Sequence, residues 1–153
     1  MGISYRKASI GDLELITKLS VIMQQGDYCG EDTEDVLYCR NKRDLLNPEM
    51  AMYIAFDGDM AIGFSHVFVR HEWFWSQSED GQVGYLETIF VTSDYRKQGI
   101  AQTLVQMCQD WARKKDCIEF ASSCDLENAG SFAFHIKSGF KEIHRIIHFS
   151  KEL

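Results

Sequence analysis

YLETIFVTSDYRKQGIAQTLVQMC, residues Tyr85–Cys108, is the stretch on which the reading of this chain turns. Its opening, Tyr85 to Val91, is rich in β-branched and aromatic side chains, the pattern of a buried strand. Its close sets Ile100, Leu104, Val105 and Cys108 at helical spacing. Between them stands Arg96-x-x-Gly99-x-Ala101. A strand that ends, a short turn and a helix that opens on small residues together make an anion site. Glycine lets the backbone come close to a phosphate, the first-turn N–H groups lack intrahelical partners, and the helix dipole favours negative charge there. A pyrophosphate suits that site, but a tight turn with an incidental glycine would carry the same letters, so context has to decide.

Working outward, Val83–Val91 is preceded by a polar, aromatic loop, HEWFWSQSEDGQ, and by two apolar strands, Met50–Phe56 and Met60–Val69, joined through Asp57-Gly58-Asp59. Asp-Gly between such runs is a strong hairpin signal. Further upstream, Ile3–Lys7 alternates like a strand. Ser9 with Asp12 forms a capping-box pattern before Leu13, Ile16, Leu19 and Ile22. Asp32 or Thr33 then caps a second helix, with Val36, Leu37 and Leu45, that ends near Asn47-Pro48. Downstream, the helix from Ile100 to Lys114 turns Leu104, Val105, Cys108 and Trp111 to one side, and a strand from Cys117 to Ser122 implies a right-handed crossover. A helix over Glu127–Lys137 closes at Gly139, and Glu142–Phe149 reads as a last strand. The order is that of an α/β (α+β) domain with a mixed sheet.

At 153 residues, with 45% hydrophobic and 25% charged residues and one proline, the chain fits a single domain over 1–153. No apolar run approaches the roughly 20 residues that span a bilayer, and the N-terminus is charged too early for a signal peptide, so a cytoplasmic protein without membrane partners is expected. Five cysteines, Cys29, Cys39, Cys108, Cys117 and Cys124, include no C-x-x-C pair, so reduced, mostly buried thiols and no metal are expected. The net charge of -7 gathers in two stretches without Lys or Arg. One runs from His71 to Tyr95 (Glu72, Glu79, Asp80, Glu87, Asp94), the other from Leu19 to Cys39 (Asp27, Glu31, Asp32, Glu34, Asp35). Such runs disfavour nucleic acid and favour a cationic partner, while an ordinary solvated surface would read the same way.

Arg96, Lys97, Gln98, Gly99, Ile100 and Ala101 match the Q/R-x-x-G-x-G/A signature, placed after a strand, of motif A in the GNAT superfamily of N-acetyltransferases. The later Asn128 to Gly139-Phe140 segment is similar to that family's Asn-opened helix ending in Gly-Phe. The resemblance implies a GNAT fold: a mixed sheet of about six to seven strands, flanked by about four helices and splayed between two parallel central strands. It implies acetyl-CoA as co-substrate, with Ile89, Phe90 and Val91 receiving the pantetheine arm by strand-like pairing and the 96–101 turn with Gln102 receiving the diphosphate. Asn128 joins the cofactor set.

AIGFSHVFVRHEW, YLETIFVTSDYRKQGIAQTL and EFASSCDLENAGSFAFHIKSGFKE resemble bacterial aminoglycoside 6'-N-acetyltransferases, a branch that is commonly homodimeric. The implied acceptor is a polycationic amino sugar held by carboxylates. Glu87 matches the acid of that branch's strand and, two residues before Ile89, is expected on the same strand face, for substrate binding and proton acceptance. Where the branch carries a drug-binding aspartate this chain has Ser123. Asp125 either takes over that role or caps the following helix. Trp73 is the candidate sugar-stacking ring, though Trp73, Phe74 and Trp75 would equally cover a core or an interface. His135 stands where the family often has a tyrosine that protonates the thiolate; an imidazole can do this, and a packed histidine is the plainer reading. The implied mechanism is direct attack of the amine on the thioester, with Val91 N–H polarising the carbonyl; Cys124 would serve only a covalent route. Another small amine or a protein amine as acceptor, and a non-catalytic acetyl-CoA sensor, remain open.

Overall fold

The computed structural model of the chain describes residues 2–26 and 30–153. Asp27 and Cys29, counted above with the acidic stretch and the thiols, lie outside the described residues. The chain divides into two compact units, Met1–Ser123 and Cys124–Leu153.

The first unit runs β1 (Ile3–Lys7), a 3-10 turn (Ile10–Asp12), α1 (Leu13–Gln25), α2 (Glu34–Leu45), β2 (Met50–Asp57), β3 (Met60–His71), β4 (Gln82–Val91), a second 3-10 turn (Ser93–Tyr95), α3 (Ile100–Lys114) and β5 (Phe120–Ser122). Its sheet has five strands in the order β1-β2-β3-β4-β5. Every pairing is antiparallel except β4 with β5. With α4 (Ala129–Lys137) of the second unit, the described residues form an α/β arrangement of one mixed sheet and four α-helices. The expected six to seven strands are corrected to five, and β5 is an edge strand rather than a central one. The expected closing strand Glu142–Phe149 is corrected as well, since no strand is formed beyond α4. Alternating apolar residues supply a face, but a strand also needs a neighbour to accept its hydrogen bonds. β5 is also shorter than the expected Cys117–Ser122: its register partners are Phe120, Ala121 and Ser122, opposite Gly84, Tyr85 and Leu86.

Local chemistry explains where the elements begin and end. Asp12 accepts the Ser9 N–H at 2.8 Å, and its carboxylate is gripped by both Arg6 nitrogens at 2.8 and 2.7 Å. Between Asp32 and Thr33, the structure makes Thr33 the cap of α2, its Oγ1 accepting Val36 N–H at 3.3 Å. The Asp57-Gly58-Asp59 hairpin forms as expected, with Asp57 opposite Met60. Ile16 and Leu19 of α1 pack on Met52, Ile54, Phe56, Phe64 and Phe90. Ser65, next to Phe64 and so on the opposite face, receives Cys108 Sγ of α3 at 3.2 Å. The sheet is thus covered on both faces. Burial pushes the Cys108 thiol up to about 12.

In the second unit, Asn128 caps α4, its Oδ1 accepting Ser131 N–H at 3.0 Å. Gly139 ends the helix in the left-handed region at φ 89°. Of the described cysteines Cys108 and Cys117 are buried and Cys39 and Cys124 exposed, and all four are free. Among the described residues no helix is long and apolar enough to cross a membrane.

Candidate functional site: an open strand edge and a left-handed turn

β4 stays paired with β3 on both sides of Glu87, out to Gly63 opposite Val91, but pairs with β5 only from Gly84 to Leu86. Ser122 Oγ donates to Leu86 O at 3.0 Å where that pairing ends. From Glu87 to Val91, then, the β5 side of β4 has no strand beside it among the described residues, and Ile89, Phe90 and Val91 lie on that stretch. Backbone groups on such an edge can pair with an extended ligand that carries amides.

The chain then turns tightly. Thr92 N–H donates to Ile62 O at 2.9 Å, Arg96 Nε to Val91 O at 2.9 Å, and Gln98 Nε2 to Asp94 O at 3.2 Å. Tyr95 Oη donates to Asp57 Oδ2 at 2.8 Å, tying the turn to the hairpin, and this bond raises the phenol's pKa. Lys97 and Gly99 both take left-handed backbone, φ 61° and 83°. For lysine this conformation is uncommon and costs of order 1 kcal/mol. Gly99 is the N-terminal cap of α3 and no side chain caps the helix there. Thr103 N–H, reaching Gly99 O at 3.1 Å, is the first to enter the helical ladder, so the N–H groups of Ile100, Ala101 and Gln102 carry no intrahelical acceptor. The first turn of α3 has no acidic residue and the last turn carries Arg113 and Lys114, the polarity that favours an anion at the start. A Cβ on Gly99 would meet nothing within 4 Å. The glycine is therefore favoured by φ and not by crowding from its described neighbours.

Glu87 sits on an irregularity that sequence alone did not reveal. His66 pairs with Thr88 and Val67 with Leu86, so Glu87 is the extra residue of a β-bulge. The two-residue alternation that placed Glu87 on the face of Ile89 does not carry across the bulge. What the bulge does is expose the carboxylate beside the stretch of β4 that β5 leaves open. His66, flanking the bulge, is buried with Nε2 4.0 Å from Asp44 Oδ2. Burial holds its imidazole below the ordinary value, with Asp44 opposing and Arg43 adding to the depression.

The aromatic loop before β4 divides its rings. Trp75 packs inward on Val83, Tyr85 and Ala121. Trp73 and Phe74 stand out, 70% and 100% exposed. The core-covering reading thus holds for Trp75 alone. Ser123 Oγ lies 2.6 Å from Tyr85 Oη, so the position that carries an aspartate in the resembling branch here continues a neutral hydrogen bond. Tyr85 was not singled out from the sequence, since its spacing marks it only as a strand residue.

Within the second unit, Asp125 is exposed and the cap of α4 is Asn128, which removes the capping reading of Asp125. Asn128 spends its carbonyl oxygen on that cap. His135 Nδ1 lies 2.7 Å from Ser131 O and 3.4 Å from Ser131 Oγ. Its ring is flanked by Phe134 and Phe140 at 5.7 and 5.2 Å.

Comparison with known proteins adds three kinds of likeness. Residues 17–140 match the acetyltransferase (GNAT) family. An aminoglycoside N(6')-acetyltransferase type 1 of Acinetobacter genomosp. 13 is 39% identical over 97 residues, 63% of this chain and 66% of that relative's length. One of Acinetobacter baumannii is 34% identical over 123 residues, 80% of this chain and 84% of the relative. Among solved structures, AAC(6')-Iy in complex with the bisubstrate analogue CoA-S-monomethyl-acetylneamine matches with a TM-score of 0.88 over 100% of both chains, at 28% identity.

Proposed function

We propose, from the premise that this chain belongs to the acetyltransferase (GNAT) family, that it transfers the acetyl group of acetyl-CoA to the 6'-amine of aminoglycosides. The observation that carries the reading is the β4 edge that runs on after β5 has left it and ends in the left-handed Gly99 turn at the start of α3. That combination offers an extended pairing edge followed directly by a diphosphate-sized anion site, in the order in which pantetheine and diphosphate are joined in coenzyme A.

Acetyl-CoA supplies an acyl thioester, which needs no enzyme nucleophile. The residues of the chain have simpler tasks. Ile100, Ala101 and Gln102 N–H groups, with Arg96, Lys97 and Gln98 beside them, hold the diphosphate; Ile89 to Val91 pair with the pantetheine amides, and Val91 N–H polarises the acyl oxygen. Glu87 holds the incoming ammonium and accepts its proton, and Trp73 offers a ring face to the sugar. Asn128 supports the cofactor side, Asp125 and Ser123 the acceptor side. His135 serves as the acid for the thiolate. The acceptor rests on the two aminoglycoside-acetylating relatives, on the neamine moiety in the matched complex, and on the carboxylate-rich run that contains Glu87.

The matched family span runs through both units, which supports one acetyltransferase domain over 1–153. The same reading places the enzyme in the cytoplasm as a homodimer. Ile143, Ile146, Ile147 and Phe149, 60 to 91% exposed, are apolar enough to supply a subunit contact. Light scattering of the purified chain tests the dimer.

The deciding experiment measures thiol release from acetyl-CoA with kanamycin or tobramycin against an aminoglycoside bearing a 6'-hydroxyl. Turnover is expected only with the 6'-amine drugs. Thiol release with polyamines alone would refute the acceptor, and calorimetry without acetyl-CoA binding would refute the whole reading.

A further inference from the structure

The loop that carries Trp73 is tied down by a residue far from it in sequence. Its ends close through Glu72 N–H to Gly81 O at 2.8 Å, and Gly81 N–H reaches back to Ser78 O at 3.0 Å. In the middle, three donors converge on one oxygen, Glu119 Oε1: Ser76 Oγ at 2.9 Å, Ser78 N–H at 3.2 Å, and Gln77 N–H between them. Glu119 directly precedes β5, and its own carbonyl accepts Gly84 N–H at 3.0 Å, so the tether is anchored to the sheet at the parallel β4–β5 pairing. Next to the tethered residues, Trp75 is turned inward while Trp73 is presented outward. The Trp73 ring lies 6.2 Å from that of His71 at an interplanar angle of 23°, and a Cβ on Gly81 would come within 3.3 Å of it.

We propose that Glu119 is a positioning residue for the acceptor. Its carboxylate fixes residues 76–78, and through them the stance of Trp73, so it governs acceptor affinity and drug range without touching acetyl-CoA. The inference rests on the aminoglycoside reading above. The physical reason is that bonds to an anion are about twice as strong as neutral ones. A polar loop with no strand beside it would otherwise sample many conformations, and ordering it would be charged against binding of the sugar. Glutamine at 119 keeps an acceptor oxygen for the three donors; alanine leaves none.

The test uses the full chain and varies kanamycin and acetyl-CoA separately in initial-rate kinetics. Glu119→Ala should raise the kanamycin KM about ten-fold while the acetyl-CoA KM stays within about two-fold. Glu119→Gln should recover most of the loss, and Ser76→Ala should move the kanamycin KM less but in the same direction. Glu119→Ala added to Trp73→Ala should do no further harm, because both act through the same ring. Should Glu119→Ala not fold, Ser76→Ala with Trp73→Ala makes the same comparison. An unchanged kanamycin KM, an equal rise in both KM values, or an additive double variant would overturn the proposal. A wild-type chain inactive on every aminoglycoside would instead refute the acceptor reading. The tether is then read by amide hydrogen exchange at Gln77 and Ser78: faster exchange in Glu119→Ala than in Glu119→Gln supports it, and equal exchange overturns it.

Discussion

Replacing Gly99 with alanine separates what the turn does for the fold from what it does for the ligand. At φ 83° a Cβ costs about 1–2 kcal/mol of backbone strain, partly offset by the lower entropy of the unfolded alanine chain, about 0.4–1 kcal/mol. A Cβ there meets no atom within 4 Å, so no clash is added. The net loss of stability is about 1 kcal/mol, a fall in Tm of about 2–4 °C for a domain of this size. The strain is present in free and bound protein alike and cancels in the affinity. Any loss of acetyl-CoA binding must therefore come from the ligand meeting the new methyl where it should meet N–H groups. Losing one or two hydrogen bonds to a charged phosphate, each about 1.5–3 kcal/mol, weakens binding at least about ten-fold. Thermal melting and calorimetry on the same preparation give both numbers. A Tm that falls as stated with an unchanged Kd for acetyl-CoA would refute the assignment of the diphosphate to this turn.

Three further outcomes follow from particular contacts. Gly84→Ala would set its Cβ 2.4 Å from that of Ala112, so α3 must shift; a loss of about 1–3 kcal/mol is expected in urea unfolding, and Ala112→Gly in the same chain should restore most of it. Glu87→Gln should lower kcat/KM for a 6'-amine drug by about a hundred-fold or more, with Tm unchanged because the side chain is exposed; near-normal kcat/KM would remove Glu87 from the mechanism. The hydrogen bonds from Arg6, ahead of the one from Ser9, hold the Asp12 carboxyl down at about 2 from 3.8. The stability it contributes is therefore complete above pH 3.8 and lost as pH falls through about 2. Because Arg6 is half exposed, about 1 kcal/mol is expected, and Asp12→Asn should flatten the acid limb of the stability curve by that amount.

What could be read from the sequence was whatever local chemistry settles. The hairpin at Asp57-Gly58, the amphipathic face of α3, the helix stop at Gly139 and the tight 96–101 turn before α3 all follow from side-chain spacing and backbone sterics, and all are present. What could not be read depends on partners distant in sequence. Glu142–Phe149 alternates, but alternation cannot provide a neighbouring strand. The bulge at Glu87 arises from the register of β4 against β3, which leaves no mark in either strand's letters. Asn128 and Asp125 cap helices almost equally well, so only the geometry could choose Asn128. Of Trp73, Phe74 and Trp75, only the packing of the loop shows which ring turns inward.

Several irregular features fall in one short stretch, and the energetics explain why they are tolerated there. Between Glu87 and Gly99 the chain has a bulge, a strand edge left by its neighbour, and two left-handed residues, one of them a lysine. Each would weaken an isolated hairpin or helix by of order 1 kcal/mol or more. Immediately after them α3 buries Ile100, Leu104, Val105, Cys108, Trp111 and Ala112. Its larger apolar side chains contribute about 1.5–3 kcal/mol each, so the helix outweighs the strain of the turn several-fold. The close contact of Ala112 with Gly84 fixes where α3 lies along β4, and with it the place where the helix must begin. The start of α3, and with it the turn before it, is therefore held by packing at the far end of the helix. Gly84→Ala should consequently weaken acetyl-CoA binding in calorimetry although no residue of the 96–101 turn is changed, and Ala112→Gly in the same chain should restore it.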